Sequence, residues 1–251
     1  MSGKIFIVTH VKPVKNPPKG YDYIGVGNGN FYLPYSDKTG ESISHLNPYF
    51  SELTALYWIW KNYKCPPDNF VGIMHYRRLL VDGWVSSLNK TPASIENINK
   101  ILLQKDLIVP EKTHLSPNAY QNYSEEHDEA DMRLSLSIAE KKDGVKEGEY
   151  IDFLKSLRTA HICNMFACKK SIFDNYCSWL FPILFESLNQ INFKDRDAYQ
   201  KRVFGFLSER LFNVWLNDKN YSIEQLRMIR TDFSFIKNFN RRRLNNRLNN
   251  E

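Results

Sequence analysis

Phe70-Val71-Gly72-Ile73-Met74-His75-Tyr76-Arg77-Arg78 joins an apolar run to four large polar residues. The apolar part predicts a strand that is covered on both faces, as in α/β proteins. The open end of such a strand is where α/β proteins place ligand-binding groups. Two adjacent guanidinium groups there favour an anionic ligand, most naturally a phosphate or diphosphate. Salt bridges at a plain strand end are the alternative, and the local sequence supports both equally.

The bulk composition indicates a folded α/β chain. With 251 residues, of which 42% are hydrophobic, the chain can bury a substantial core as one compact domain. The mean hydropathy of -0.49 leaves a well-solvated surface, and no apolar window approaches the length that spans a bilayer. The first residues lead into a strand-like run instead of a signal peptide, so we expect a cytoplasmic protein.

Charge and cysteine content narrow the class of partner without choosing one. The net charge of +6 and the pI near 9.0 favour nucleic acid, anionic lipid or a phosphorylated small molecule. The four cysteines have neither zinc-ribbon spacing nor the density of a secreted disulfide scaffold. We therefore expect reduced thiols, most of them in the core.

Strand and helix patterns alternate along the chain. Apolar runs predict strands at residues 4–10, 21–26, 106–110 and 161–168. Amphipathic spacing predicts helices at residues 49–63, 124–142, 150–157 and 202–216, and an apolar helix from Ser171 that Pro182 kinks. Asn47 and Pro48 are suited to cap and begin the helix over 49–63. Glu52 near its start is explained by the helix dipole, although binding of a ligand is the alternative.

The C-terminal segment, residues 233–251, mixes aromatic residues with arginines. One interpretation is an interfacial helix whose arginines approach anionic head groups, each contributing roughly 1 kcal/mol. The other is a frayed, solvated tail, because asparagine is a poor helix former.

Several segments together resemble one known family. They are Asp37-Lys38-Thr39-Gly40-Glu41-Ser42-Ile43-Ser44, Asn47-Pro48-Tyr49-Phe50-Ser51-Glu52-Leu53-Thr54-Ala55-Leu56-Tyr57-Trp58, Gly72-Ile73-Met74-His75-Tyr76-Arg77-Arg78, Asn164-Met165-Phe166, Tyr176-Cys177-Ser178-Trp179-Leu180-Phe181 and Gly205-Phe206-Leu207-Ser208-Glu209-Arg210-Leu211. The chain resembles the bacterial galactofuranosyltransferases of capsule, exopolysaccharide and O-antigen gene clusters, a family long carried as a domain of unknown function. The resemblance covers nearly the whole chain.

This resemblance implies an α/β, GT-A-like glycosyltransferase fold, with a mixed, mostly parallel central sheet flanked by helices over residues 1–232 and the basic, aromatic tail beyond. It implies a hexosyltransferase that acts with inversion. The implied donor is UDP-galactofuranose, and the implied acceptor is a lipid-linked or growing surface polysaccharide. Other donor sugars stay open, because fold alone does not set function.

The resemblance also assigns the basic motif a role at the donor diphosphate. Glycosyl transfer requires stabilisation of the departing diphosphate, by a metal on an Asp-x-Asp motif or by basic residues. No such motif ends a predicted strand, and Asp195-Arg196-Asp197 falls in a polar loop. We therefore expect His75-Tyr76-Arg77-Arg78 to bind the donor and a divalent metal to be dispensable, although a metal cofactor stays open.

Other donor contacts are expected from polar residues that end predicted strands or begin a helix, each of which could instead be a turn, cap or buried structural residue. These residues are Thr9, His10, Asp37, Asn47 and Asn164.

Inverting transfer further requires a general base. Glu209 in the late helix is the first candidate, with a structural pairing to Arg202 or Arg210 as the alternative. His127 and Asp131, one helical turn apart, form a second candidate pair.

Two other classes of function compete with the enzyme. A nucleic-acid-binding module would exploit the positive charge, but no stacking or helix-turn-helix motif supplies its surface. A non-catalytic scaffold would keep the fold and bind a glycan.

Overall fold

The computed structural model describes residues 2–28 and 31–231. The strands are β1 (Gly3–Thr9), β2 (Tyr21–Gly25), β3 (Tyr35–Ser36), β4 (Phe70–His75), β5 (Arg78–Val81), β6 (Leu107–Pro110), β7 (Thr113–His114), β8 (Thr159–Ala160), β9 (Phe166–Lys169) and β10 (Ile223–Arg230). The helices are α1 (Asn47–Phe50), α2 (Leu53–Asn62), α3 (Trp84–Asn89), α4 (Ile95–Leu102), α5 (Ala119–Ser124), α6 (Glu129–Asp143), α7 (Glu149–Ser156), α8 (Lys170–Leu188) and α9 (Val203–Asn217).

A mixed sheet of eight strands forms the centre of the fold, in the order β3-β2-β1-β4-β5-β10-β6-β9, and β9 also pairs with β4. β1, β2, β3 and β4 run parallel to one another. Beyond β4 the pairings are antiparallel, apart from β10 with β6. The mixed α/β class is confirmed, whereas the prediction of a mostly parallel sheet is corrected: β9 and the β4–β5 hairpin introduce antiparallel pairings on one side of β4.

The sheet separates two apolar clusters, because alternate side chains of a strand point to opposite faces. In β1, Phe6 and Val8 pack into the larger cluster with α2, α6, α8 and α9, while Ile5 and Ile7 pack into the smaller one with α4. Every residue of β4 is buried. The prediction that this strand is covered on both faces is therefore confirmed.

Three elements predicted as continuous are broken. The helix over residues 49–63 is divided between α1 and α2, the helix over 124–142 begins as α6 at Glu129, and the strand over 161–168 is reduced to β9. β4 also does not end in an open tip, because it turns through Tyr76 and Arg77 into β5, where His75 pairs with Arg78. β5 and β10 were not predicted.

Other predictions hold closely. β6 and α9 lie within a residue or two of the predicted bounds, and Pro182 lies inside α8. All four cysteines are unpaired, and Cys163, Cys168 and Cys177 are buried. No helix among the described residues is long and apolar enough to cross a membrane. The predicted boundary at residue 232 and the proposed interfacial tail lie outside the described residues.

Gly72 is closely packed in the centre of the sheet. A Cβ added there would lie 2.4 Å from Ile5 Cδ1 and 2.8 Å from Ala167 Cβ, on the two strands that flank β4. Gly72→Ala should therefore lower the free energy of unfolding by about 1–3 kcal/mol through overpacking, as measured by urea denaturation. Gly25→Ala in β2 is the matched control, because its Cβ would make ordinary contacts at 3.4 Å or more. Equal stability of the two variants would contradict the assigned packing.

Candidate active site

A cleft of about 680 Å³ opens where β1 and β4 end. The two strands are parallel and in register from Gly3 and Phe70 to Val8 and His75, so their carboxyl ends meet at one edge of the sheet. His10 and Tyr76 follow these ends and touch, with 3.3 Å between the Tyr76 hydroxyl and His10 Nε2. The structure thus brings the two predicted strand-end motifs into one site.

Basic side chains line much of the cleft. They are Arg77, Arg78, Lys201, Arg202 and Arg230. Burial lowers the pKa of His10, and the charges of Arg77 and Arg202 lower it further. Burial likewise lowers the pKa of His75, opposed by Glu52 and reinforced by Arg78 and Arg202. This electrostatic environment suits an anion such as a diphosphate.

Two glutamates introduce negative charge into the same cleft. Glu209, on α9, accepts the Cys163 amide hydrogen at Oε1 (2.8 Å) and pairs through Oε2 with Arg210 Nη1 (3.1 Å). Burial raises the Glu209 pKa, with Arg210 opposing the shift. Glu52 precedes α2 and accepts the side-chain amide of Asn164 at Oε1 (2.7 Å). For Glu52 the sequence favoured the helix dipole, with binding of a ligand as the alternative, and the structure places the residue in the lining of the cleft.

Asn164 lies behind Glu52 and is buried. Its Nδ2 also donates to the Gly205 carbonyl (3.0 Å), and its Oδ1 accepts the Ser208 hydroxyl (3.0 Å). Asn164 was predicted to contact the donor. In this arrangement it contacts the residues that form the cleft instead of lining it.

The breaks in α1–α2 and before β9 create this geometry. Ser51, Cys163 and Asn164 adopt φ values of 50°, 79° and 48°, in the left-handed region that residues other than glycine seldom occupy. Such conformations cluster at functional sites, where surrounding contacts maintain them. Ser51 and Cys163 line the cleft, but no glycine marks either break in the sequence.

Thr9, Asn47 and Asp37 have mainly structural contacts. Thr9 lines the cleft, but its hydroxyl donates to the Val11 carbonyl (2.7 Å). Asn47 also lines the cleft and donates to the Ser51 carbonyl (2.9 Å). Asp37 is fully buried and accepts the Thr54 hydroxyl (2.6 Å). Asp37 therefore supports the site from behind instead of lining the cleft, and its contact with the donor stays a prediction.

His127 and Asp131 make no hydrogen bond to each other, although the Asp131 charge acts to raise the pKa of His127 against the lowering by burial. His127 Nδ1 contacts Gln200 Oε1 at 3.1 Å, and Asp131 holds Arg196 through both oxygens, with 2.9 Å between Nη2 and Oδ1. The proposed pair of base and orienting acid is therefore corrected. His127 instead stacks on Phe206, with ring centroids 4.1 Å apart.

Two aromatic residues that the sequence did not single out for the site form another part of the lining. Tyr199 is 46% exposed, and Phe206 lies 5.1 Å from it between ring centroids. Both line the cleft. Phe206 belongs to the quoted Gly205–Leu211 motif, whereas nothing in the local sequence singles out Tyr199.

Within residues 2–28 and 31–231, no three His, Cys, Asp or Glu side chains are grouped so that they could hold a metal ion. Asp197 accepts the Gln200 amide hydrogen (2.7 Å), and Asp195 is exposed. We therefore derive no step through a metal.

Fold and cleft together define a mixed α/β protein with a cationic, carboxylate-containing cleft at the ends of its parallel strands. The family model described as "Domain of unknown function (DUF4422)" matches residues 4–220, and the chain belongs to this family. No curated protein matches significantly.

One solved structure is closely similar. It is described as the apo form of WbbM, a bifunctional glycosyltransferase, and it superposes with a TM-score of 0.79 at 27% sequence identity. The match covers 93% of this chain and 46% of that one, so the chain spans about half the length of the solved protein.

Asp131→Asn tests the structural assignment of Asp131. The side chains of Asp131 and Arg196 are only 5% and 15% exposed, so the variant leaves a largely buried guanidinium with only the exposed Asp128 carboxylate as counter-charge. The free energy of unfolding should fall by about 2–3 kcal/mol, as measured by urea denaturation.

Asp128→Asn is the control. Its carboxylate lies 3.5 Å from Arg196 but is 55% exposed, and asparagine preserves the helix cap. A loss as large as that of Asp131→Asn would contradict the assignment.

Proposed function

We propose that this chain is a glycosyltransferase that uses a nucleotide sugar as donor and a glycan as acceptor. The observation that carries the proposal is the meeting of a cationic cluster with Glu52 and Glu209 in one cleft. Positive charge stabilises the departing diphosphate, and a proton acceptor takes the proton of the attacking hydroxyl. The likeness to a solved glycosyltransferase over 93% of this chain adds support.

The proposed chemistry is a single displacement that inverts the sugar carbon. The acceptor oxygen bonds to the anomeric carbon while the bond to the diphosphate breaks. Arg77 and Arg78, with Arg202 and Arg230 nearby, neutralise the charge that develops on the leaving group. A cleft carboxylate accepts the hydroxyl proton, and Glu209 is the candidate that the sequence predicts.

We propose UDP-galactofuranose as donor and a lipid-linked or growing surface polysaccharide as acceptor, on the resemblance described above. Tyr199 and Phe206 offer aromatic faces on which the C–H face of an acceptor sugar can pack. The tail over residues 233–251 is proposed to bring the protein to an anionic membrane surface at the cytoplasmic side.

The decisive experiment measures product by mass spectrometry with a panel of UDP-sugars and synthetic lipid-linked acceptors. We expect transfer from UDP-galactofuranose. Arg78→Ala and Arg77→Ala should each lower kcat/KM by about 10–100-fold, since each removes a charged contact worth roughly 1.5–3 kcal/mol. Arg133→Ala, an exposed arginine on α6, is the control that should retain activity.

Other outcomes separate the alternatives. Binding of glycan without transfer from any nucleotide sugar would favour a non-catalytic scaffold. Tight, salt-dependent binding of nucleic acid with no thermal shift by a nucleotide sugar would favour a nucleic-acid-binding module.

Metal dependence provides a separate test. If basic residues neutralise the leaving group, a chelator should leave turnover within about twofold of the untreated rate, because no step passes through a metal. Asp195→Ala should also retain activity, since this residue lies outside the cleft. Complete loss with chelator, restored by manganese or magnesium, would contradict the cationic mechanism.

A further inference from the structure

The two cleft glutamates are held in different ways. Both oxygens of Glu209 accept hydrogen bonds from the protein, from the Cys163 amide and from Arg210. Glu52 accepts one, at Oε1 from Asn164. Among the described residues no donor reaches Glu52 Oε2, so this oxygen is available to a ligand in the cleft.

The amide that orients Glu52 is itself fixed at both ends. Asn164 Nδ2 donates to Glu52 Oε1 and to the Gly205 carbonyl, and Asn164 Oδ1 accepts the Ser208 hydroxyl. These bonds fix the Asn164 side chain in one orientation, in which its NH₂ group faces Glu52. The left-handed backbone at Asn164, φ 48°, directs the side chain into this position.

A buried nitrogen atom in the cleft wall beside Glu52 also lacks a hydrogen-bond partner among the described residues. His75 Nε2 is buried and has no hydrogen-bond partner within the described part of the chain. Glu52 and His75 both line the cleft, and the Glu52 charge opposes the lowering of the His75 pKa by burial. Since buried polar atoms are normally paired, a ligand hydroxyl beside Glu52 would complete the hydrogen bonding of this wall.

We propose that Glu52 is the proton acceptor of the transfer reaction and that Asn164 is the residue that positions it. This assignment rests on the proposed function and replaces Glu209 in that role. As the acceptor oxygen bonds to the anomeric carbon, its proton passes to Glu52 Oε2. The bond from the anomeric carbon to the diphosphate breaks, and the nucleoside diphosphate leaves with the electron pair. Glu209 anchors the bend at Cys163.

The groups that act electrostatically with Glu52 come from several elements. His75 ends β4, Glu209 lies on α9, and Cys163 belongs to the bend before β9. Burial, with the charge of Glu209, raises the pKa of the Cys163 thiol to about 12, so the thiol stays neutral. Glu209 is therefore the other carboxylate of the cleft whose role the variants must separate from that of Glu52.

Glu52→Gln should lower kcat by about 10²–10⁴-fold, the usual contribution of a general base, and leave donor binding within a few-fold. In the wild type, kcat/KM should fall as the pH is lowered, because the base becomes protonated. This fall at low pH is the acid limb of the pH profile. It should disappear in Glu52→Gln and remain in Glu209→Gln. Glu186→Gln, an exposed glutamate on α8, is the control.

Asn164→Gly removes the amide while glycine still accepts the left-handed backbone. It should lower kcat by roughly 10²-fold through misplacement of the base, change KM for the donor little, and keep the acid limb. Asp195→Gly is its control, because Asp195 is an exposed residue with φ 63°. If Glu52→Gln fails to fold, Glu52→Asp keeps the carboxylate and should show a reduced rate with the limb preserved.

The outcomes separate this assignment from the proposed function. Absence of transfer by the wild type with every UDP-sugar would overturn both. If the wild type transfers sugar but the acid limb persists in Glu52→Gln and disappears in Glu209→Gln, only the assignment of Glu52 is overturned and the proposed function stands. Asn164→Gly could instead lower the melting temperature and weaken donor binding while kcat is unchanged. That result would assign Asn164 a structural role only.

Discussion

The hydrogen bonds between α9 and the bend at Cys163 and Asn164 are the constraint on which the site depends. Glu209 holds the Cys163 amide, and Gly205 and Ser208 hold the Asn164 side chain. Through Asn164 the same bonds reach Glu52, which lines the cleft. Three segments that are remote in sequence therefore take their relative positions from one buried amide, and a change in any of them shifts the others.

The elements that were predicted well are those whose pattern is local. β4 is an apolar run and α9 is amphipathic over its length, so burial alone determines both. The breaks at Ser51 and at Cys163–Asn164 could not be predicted in this way. Neither contains a glycine, and both are maintained by tertiary hydrogen bonds that override local propensity. For Glu52 the helix dipole was favoured and ligand binding was the alternative, and its place beside the bend at Asn164 depends on tertiary contacts that no local pattern shows.

The cationic motif at positions 75–78 shows a different limit of prediction from the sequence. The residue types at positions 75–78 indicated an anion site, and all four of these residues line the cleft together with three other predicted donor residues, Thr9, His10 and Asn47. Their roles at a donor remain predictions. The sequence did not indicate that β4 turns back as a hairpin, which places Arg77 in the turn and Arg78 at the start of β5. Nor did it indicate that Arg202 and Arg230, more than 100 residues away along the chain, share the cleft.

The strained turn before α2 is maintained by contacts from three directions. A left-handed residue such as Ser51 costs about 1–3 kcal/mol, and each hydrogen bond returns roughly 0.5–1.5 kcal/mol. Asn47 donates to the Ser51 carbonyl, Arg202 Nε donates to its hydroxyl (2.9 Å), and the Asn164 amide holds the adjacent Glu52.

Arg202 also lines the cleft with the other cations. An anion bound there would therefore act on the same side chain that holds the Glu52 turn. Arg202 therefore belongs both to the cationic lining of the cleft and to the turn that carries Glu52, through a hydrogen bond of the stronger, charge-assisted kind.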